Sequence, residues 1–229
     1  MRRITPSQVF TFLFLFGLIL LLGIGSTWLV FGSMPLGDFR GVVLVGTAFF
    51  LVYLYGIAVY RLFLFIMPLK EGDIEEGSRD EFVAQVNILF YLILFNALIR
   101  THFLPLPLLR LVYIALGARL GSNTYSAGAI LDPPLTIIGA NCIIGHDAVL
   151  YSHVIEGSRF SLAAIHIGNG VTIGAHAVIM AGVTAGDDAI VSAGAVVTKG
   201  TRIGAGEVWG GVPAKRLKDP NPTNGLDRG

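Results

Sequence analysis

Apolar residues gather in long blocks in the first half of the chain and fall into a short repeat in the second. Residues 4–37 carry no charge, and Val9–Phe31 is a long, mostly apolar run. Gly41–Tyr60 is a second uncharged run, rich in Val, Leu, Phe and Tyr. A bilayer core takes about 20 such residues per helix, and each run is long enough. The pattern therefore predicts two transmembrane helices within residues 1–69, joined by the short loop Gly32–Arg40. The first run is too long for the apolar part of a signal peptide, and no small-x-small cleavage site follows it. Arg2 and Arg3 precede the first helix, Arg61 and Lys70 follow the second, and Arg40 in the loop is offset by Asp38. Basic residues favour the cytoplasmic side, so both ends of the pair are expected there.

Residues 70–117 are harder to place. Lys70–Glu81 is charged (KEGDIEEGSRDE), Phe82–Ile99 is uncharged but holds Gln85, Asn87 and Asn96, and 103–117 is apolar again. We read a charged linker followed by interfacial or re-entrant helices, an even excursion that returns the chain to the cytoplasmic side. Arg100, Arg110 and Arg119 agree with such a surface. His102 in this region reads as a snorkelling side chain.

Beyond Gly117 aromatics thin out and Gly, Ala, Val and Ile take over. Stepping by six from Ile167 gives Ile173, Ile179, Ala185, Val191, Val197 and Ile203, all apolar. Four places after these positions come Val171, Ala177, Val183, Ala189, Ala195 and Thr201, all small or β-branched. Stepping by six from Leu120, Ser126 and Asp132 break the rule, while Ile138, Ile144 and Leu150 keep it. Thr136, Cys142 and Ala148 are the small partners there. A six-residue period fits neither a helix nor a meander. It fits a β-helix, in which each unit forms one side of a triangular coil, large residues fill the axis and small ones the corners. Gly and Asn accept the positive φ of those corners. The two phased runs do not join, since the step from Leu150 to Ile167 falls one position short of three repeat units. That slip predicts a loop or bulge leaving the stack within 151–166, and His153 lies at its start.

Composition sharpens this picture. Hydrophobic residues make up 54% of the 229, charged residues only 14%, and the mean hydropathy is +0.73. Such a chain is not intrinsically disordered and is too apolar for an ordinary fully soluble domain. A net charge of +1 gives no electrostatic case for nucleic-acid binding. Cys142, the single cysteine, excludes internal disulfides and cysteine-based metal or redox motifs; it reads as core packing.

The stretch IGNGVTIGAHAVIMAGVTAGDDAIVSAGAVVTKG (167–200), followed by GGVPAKRLK (210–218), resembles the hexapeptide-repeat acyltransferases. LGARLGSNT (116–124), PLTIIGANCIIG (134–145) and VWGGVPAKRL (208–217) look like a membrane-anchored subgroup, some members of which are terminal domains of peptide synthetases. The resemblance implies a mainly β fold: a left-handed parallel β-helix of hexapeptide repeats over 118–218, assembled as a homotrimer. The α-helical transmembrane region would precede it, and residues 219–229 would form a flexible tail.

The resemblance also implies a chemistry. Acyl transfer from a thioester needs a base for the acceptor's proton and a donor for the oxyanion. In that family the base is a histidine just before the segment matching Ile167–Ala175, and His153 occupies the corresponding place. An orienting acid could be Glu156, three residues on, or Asp132, about one coil earlier. His146, His166 and His176 read as surface, outward-facing and wall residues. The pantetheine arm of acetyl-CoA would lie along the coils past Ala175, Ala193 and the Thr198–Lys199 pair. Lys215 and Lys218 would approach the nucleotide end, as lysines suit phosphate. Trp209 could cap the β-helix or shield the acceptor.

These readings make the chain an acetyl-CoA-dependent O- or N-acetyltransferase without a metal, multi-pass in the inner (cytoplasmic) membrane, with its catalytic domain cytoplasmic. Its acceptor would be a membrane-associated small molecule or glycan: a lipid-linked sugar, a polysaccharide precursor or a lipid-like molecule. A non-catalytic trimeric scaffold of a membrane biosynthetic complex is the alternative. A zinc hydratase of the γ-carbonic anhydrase type, which uses the same fold, would need three histidines converging on one metal between subunits; the pair five apart that it uses is absent, the spacings here being 7, 13 and 10.

Overall fold

A computed structural model describes residues 3–101 and 103–218. Arg2, His102 and the tail 219–229 lie outside the described residues. The chain divides into two compact units, one of residues 1–69 with 75–97 and one of 70–74 with 98–229.

The first unit is helical. Helix α1 spans Pro6–Phe31 and α2 spans Arg40–Ile66. Pro6 opens α1 at a position whose N–H needs no partner, and the Thr5 N–H is satisfied by Gln8 Oε1 at 2.7 Å. Helix α2 runs past the expected end at Tyr60, because the segment after Arg61 is itself apolar. The two helices meet closely at Gly23, where a Cβ would stand 2.6 Å from Val52 Cγ2 and 3.0 Å from its backbone. A glycine lets the two helix backbones approach this closely. Phe14, Leu29, Val42 and Phe65 point outward, each more than 70% exposed.

Helix α3 (Arg79–Leu89), capped by Ser78 Oγ on Glu81 N–H, runs into a π-helical segment, Phe90–Phe95, and then α4 (Asn96–Arg100). Gln85 and Asn87, which set this segment apart in the sequence, are buried. Asn87 Oδ1 accepts a 2.7 Å hydrogen bond from Tyr60 Oη, and Phe90 packs against Phe12, Tyr60 and Phe63. Three stretches, Pro6–Phe31, Gly37–Ile66 and Arg79–Arg100, are long and apolar enough to cross a membrane.

The second unit is a parallel β-helix with three ladders of short strands. One runs through Leu120, Ile138, Ile167, Ala185 and Ile203; the second through Ser126, Ile144, Ile173, Val191 and Trp209; the third through Ile130, Leu150, Ile179 and Val197. The residues expected at the axis are buried from Ile138 onward, and Val171, Ala177, Val183, Ala189 and Ala195 are inaccessible at the corners. Asn123, Asn141, Gly170, Asp188 and Gly206 stack at one corner, all with φ between 54 and 68°. Cys142 is buried, its thiol donating to Gly168 O, and burial pushes its pKa up. Replacing Ile179, which is fully buried on the axis, by Ala should cost about 2–5 kcal/mol. A fall in the thermal midpoint of the purified protein checks it.

The break at Asp132 has a local cause. Ser126 pairs with Ile144 but Ile130 pairs with Leu150, so the first coil is two residues shorter on that side. Ile130 takes the axis position, and the turn Pro133–Leu135 restores the count. Asp132 is thereby displaced from the axis without being exposed. Helix α5 (Leu106–Leu116) belongs to this unit and covers its first coil; Tyr113 Oη donates to Gly128 O (2.8 Å) and accepts from Ile130 N–H (3.2 Å).

The slip before Ile167 is a β-hairpin rather than a simple loop or bulge. Ile167 pairs with Ala185 at the regular distance of three repeat units, but its partner on the other side, Ile138, lies much further away along the chain. The eleven extra residues hold two antiparallel strands, His153–Glu156 going out and Arg159–Leu162 returning. Eleven is one short of two repeat units, so the sequence shows it as a one-residue slip. A third strand, Gly72–Ile74 from the charged linker, pairs antiparallel with the returning strand.

Candidate active site

His153 sits where the chain leaves the third ladder for the hairpin. Asp132 lies beside it, 1% exposed, on the turn that the short first coil creates. One carboxylate oxygen, Oδ2, accepts from Ser152 N–H (2.8 Å) and His153 N–H (3.2 Å), and lies 2.7 Å from His153 Nδ1. The same contact therefore holds the outgoing strand's backbone and its imidazole. Burial of the ring disfavours its charged form, but the hydrogen bond and negative charge of Asp132 outweigh that and raise the His153 pKa above the ordinary histidine value. With Nδ1–H donated to Asp132, Nε2 of the neutral ring carries the free lone pair, and it makes no hydrogen bond among the described residues.

The ring opens on a groove of about 440 Å³ lined by Leu131, Val149, Tyr151, Val154, Ile155, Glu156 and Met180. Six of these seven are apolar or aromatic. Glu156 does not reach His153; it forms an ion pair with Lys199. Of the two acids read from the sequence, Asp132 is brought to the histidine and Glu156 is not.

The residues assigned to donor binding fall in three places. Ala175 and Ala193 share one corner on successive coils, where Gly194 N–H donates to Ala175 O (2.8 Å). A Cβ on Gly174 would lie 2.3 Å from Ala193 N, so the coils touch there through backbone alone. Thr198 and Lys199 are exposed three coils above Asp132. Thr198 O accepts from Thr201 Oγ1, and Lys199 is held by Glu156. Lys215 and Lys218 lie on the exposed last strand, Lys215–Lys218, antiparallel to Val208–Gly210. Trp209 pairs with Val191 at the end of the second ladder, and its Nε1–H donates to Glu207 Oε2 (2.8 Å).

His146 and His176 stack edge to face on adjacent coils, centroids 6.2 Å apart, and His176 itself occupies a left-handed corner, φ 58°. His166 is exposed on the outer face of the first ladder. No three His, Cys, Asp or Glu side chains converge as a metal set among the described residues. His153 Nδ1 is already committed to Asp132.

Residues 164–199 match the family described as hexapeptide repeat of succinyl-transferase. Two curated relatives from Arabidopsis thaliana are mitochondrial γ-carbonic anhydrases. One is 37% identical over 97 residues, 42% of this chain and 30% of that protein. The other is 42% identical over 83 residues, 36% of this chain and 26% of that protein. The chain thus spans less than a third of the length of these relatives. Among solved structures, a hexapeptide-repeat acetyltransferase from Vibrio cholerae with acetyl-CoA is 25% identical. It covers 45% of this chain and 61% of its own, with a TM-score of 0.42. Galactoside acetyltransferase with coenzyme A is 24% identical, covering 59% and 81%, with a TM-score of 0.46. The second unit of this protein is a left-handed parallel β-helix of hexapeptide repeats.

Proposed function

We propose that this protein is a membrane-anchored acyltransferase, which moves an acetyl group from coenzyme A to a hydroxyl or amine on a membrane-associated acceptor. The observation that carries the reading is the His153–Asp132 pair at the mouth of an apolar groove. Neutral His153 takes the acceptor's proton at Nε2 as the acceptor oxygen or nitrogen attacks the thioester carbonyl. Asp132 stabilises the imidazolium that forms. When the carbon–sulfur bond breaks, the imidazolium returns the proton to the departing thiolate.

The remaining proposed parts follow from the chemistry around that pair. The backbone-lined corner of Ala175 and Ala193 suits an extended pantetheine arm. Thr198 and Lys199, at the Glu156 side of the groove, and Lys215 and Lys218 on the last strand provide polar and cationic partners for the cofactor's phosphates. An apolar groove suits an amphiphilic acceptor, such as a lipid-linked sugar, better than a free charged metabolite. The three long apolar helices agree with anchoring, with the β-helix assembled as a homotrimer at the cytoplasmic face of the inner membrane.

The test is calorimetric titration of the detergent-solubilised protein with acetyl-CoA and with free coenzyme A. Saturable binding near one site per subunit is expected, weakened about tenfold in Lys199→Ala. An intact oligomer that binds neither ligand would overturn the enzyme reading in favour of a scaffold. Stoichiometric zinc with carbon dioxide hydration would overturn it in favour of the activity named in the curated relatives.

A further inference from the structure

We infer that Glu71, in the linker after the second long helix, is a positioning residue for His153, clamping the returning leg of the hairpin as Asp132 clamps the outgoing one. This rests on the acyltransferase reading for its catalytic consequence, but its structural basis is independent. Asp132 Oδ2 receives Ser152 N–H and His153 N–H where the hairpin departs. Glu71 Oε2 receives Ala164 N–H, at 2.7 Å, where it rejoins the coil. The legs are joined by Ala163 N–H donating to Ser152 O at 2.9 Å. Gly72, Leu162 and His153 then lie in one row across the three-stranded sheet, so the linker strand, the returning strand and the histidine share one register. Ile74 is buried in the row of Phe160 and Ile155, which seals the sheet on the side of the linker.

A hairpin of two four-residue strands is marginal alone, and a third strand is what makes such a sheet hold. Apart from Asp132, no side chain among the described residues is hydrogen-bonded to the ring. Tyr151 lies 6.0 Å away between ring centroids, and Glu156 is turned to Lys199. A second side-chain contact of the linker, Asp73 with Arg159 at 3.0 Å, is exposed at both ends and contributes little. Glu71 is the linker's carboxylate on the backbone of the hairpin's base.

The experiment compares full-length wild type with Glu71→Ala, Glu71→Asp and Glu71→Gln in detergent, with Asp73→Asn as the control. Three quantities are read: amide exchange over 159–164, the His153 ring titration by NMR, and the kinetics of transfer. In Glu71→Ala, exchange should rise at least tenfold and the His153 titration should move down, toward the ordinary histidine value. The kcat should fall about tenfold with KM for the donor unchanged. Glu71→Asp, one methylene short of Ala164, should behave likewise, and serves if the alanine variant does not fold. Glu71→Gln keeps an acceptor oxygen and should restore exchange and titration to near wild type, as should Asp73→Asn. Wild-type exchange and titration in Glu71→Ala would overturn the inference, as would equal losses in Glu71→Gln. Absence of any transfer by wild type would instead count against the acyltransferase reading, and the exchange and titration would still decide the role of Glu71.

Discussion

His153→Ala should lower kcat for acyl transfer by about 10³-fold, within the 10²–10⁴ range of a general base, while the oligomer and coenzyme A binding persist. The separation is expected because His153 is at the edge of the hairpin, not on the axis. Its imidazole makes one hydrogen bond, to Asp132, and contributes none to the ladders. Loss of the ring exposes a wall of the groove without opening the stack of Ile130, Leu150, Ile179 and Val197 beneath. Transfer assays with size-exclusion analysis check it. Wild-type rates in the variant would remove His153 from the chemistry.

Asp132→Asn should show a different signature. The neutral amide keeps an acceptor for Ser152 N–H but loses the negative charge that outweighs burial of the ring. In wild type the pKa of His153 is raised, so at low pH the ring is charged and inactive as a base. The rate should climb with pH through that raised pKa and level off above it. In Asp132→Asn the burial effect is left unopposed and the inflection should move to lower pH. The plateau should fall by about 10²- to 10³-fold, because the imidazolium formed in the reaction is no longer stabilised by a negative charge. Asp132→Ala should be harsher for stability. It leaves the buried Ser152 N–H and the His153 N–H without their acceptor, at about 1–3 kcal/mol for each group left unsatisfied. Profiles of kcat/KM against pH for wild type and Asp132→Asn check the sign; an unchanged inflection would mean that Asp132 is purely structural.

The parts of this protein differ in how legible they are. The coils from Ile167 to Ile203 could be read residue by residue, because one axis side chain and one corner side chain recur every six positions with nothing inserted. The hairpin was visible only as a break in phase. Eleven inserted residues look like a one-residue slip to a six-residue comb, and the antiparallel pairing within them has no period of its own. Asp132 carried a signal too: it was the charged residue at a position that should be apolar. Its proximity to His153 depends on a coil shortened between Ser126 and Ile130, which spacing alone could not give. Glu71 and the strand Gly72–Ile74 read as part of a charged linker. Their partners lie about ninety residues away, and three residues of strand leave no alternation to find. The segment from Phe82 was set apart by Gln85 and Asn87. What these residues do depends on Tyr60 in another helix.

The most direct measurement is transfer of labelled acetyl from acetyl-CoA in membranes containing either the wild-type protein or His153→Ala at equal abundance. The expected result is label in the organic-extractable or membrane-bound fraction with wild type, and at least a hundredfold less with the variant. No label above background with intact wild-type protein, or equal labelling by both, would contradict an acyltransferase built on His153 and Asp132.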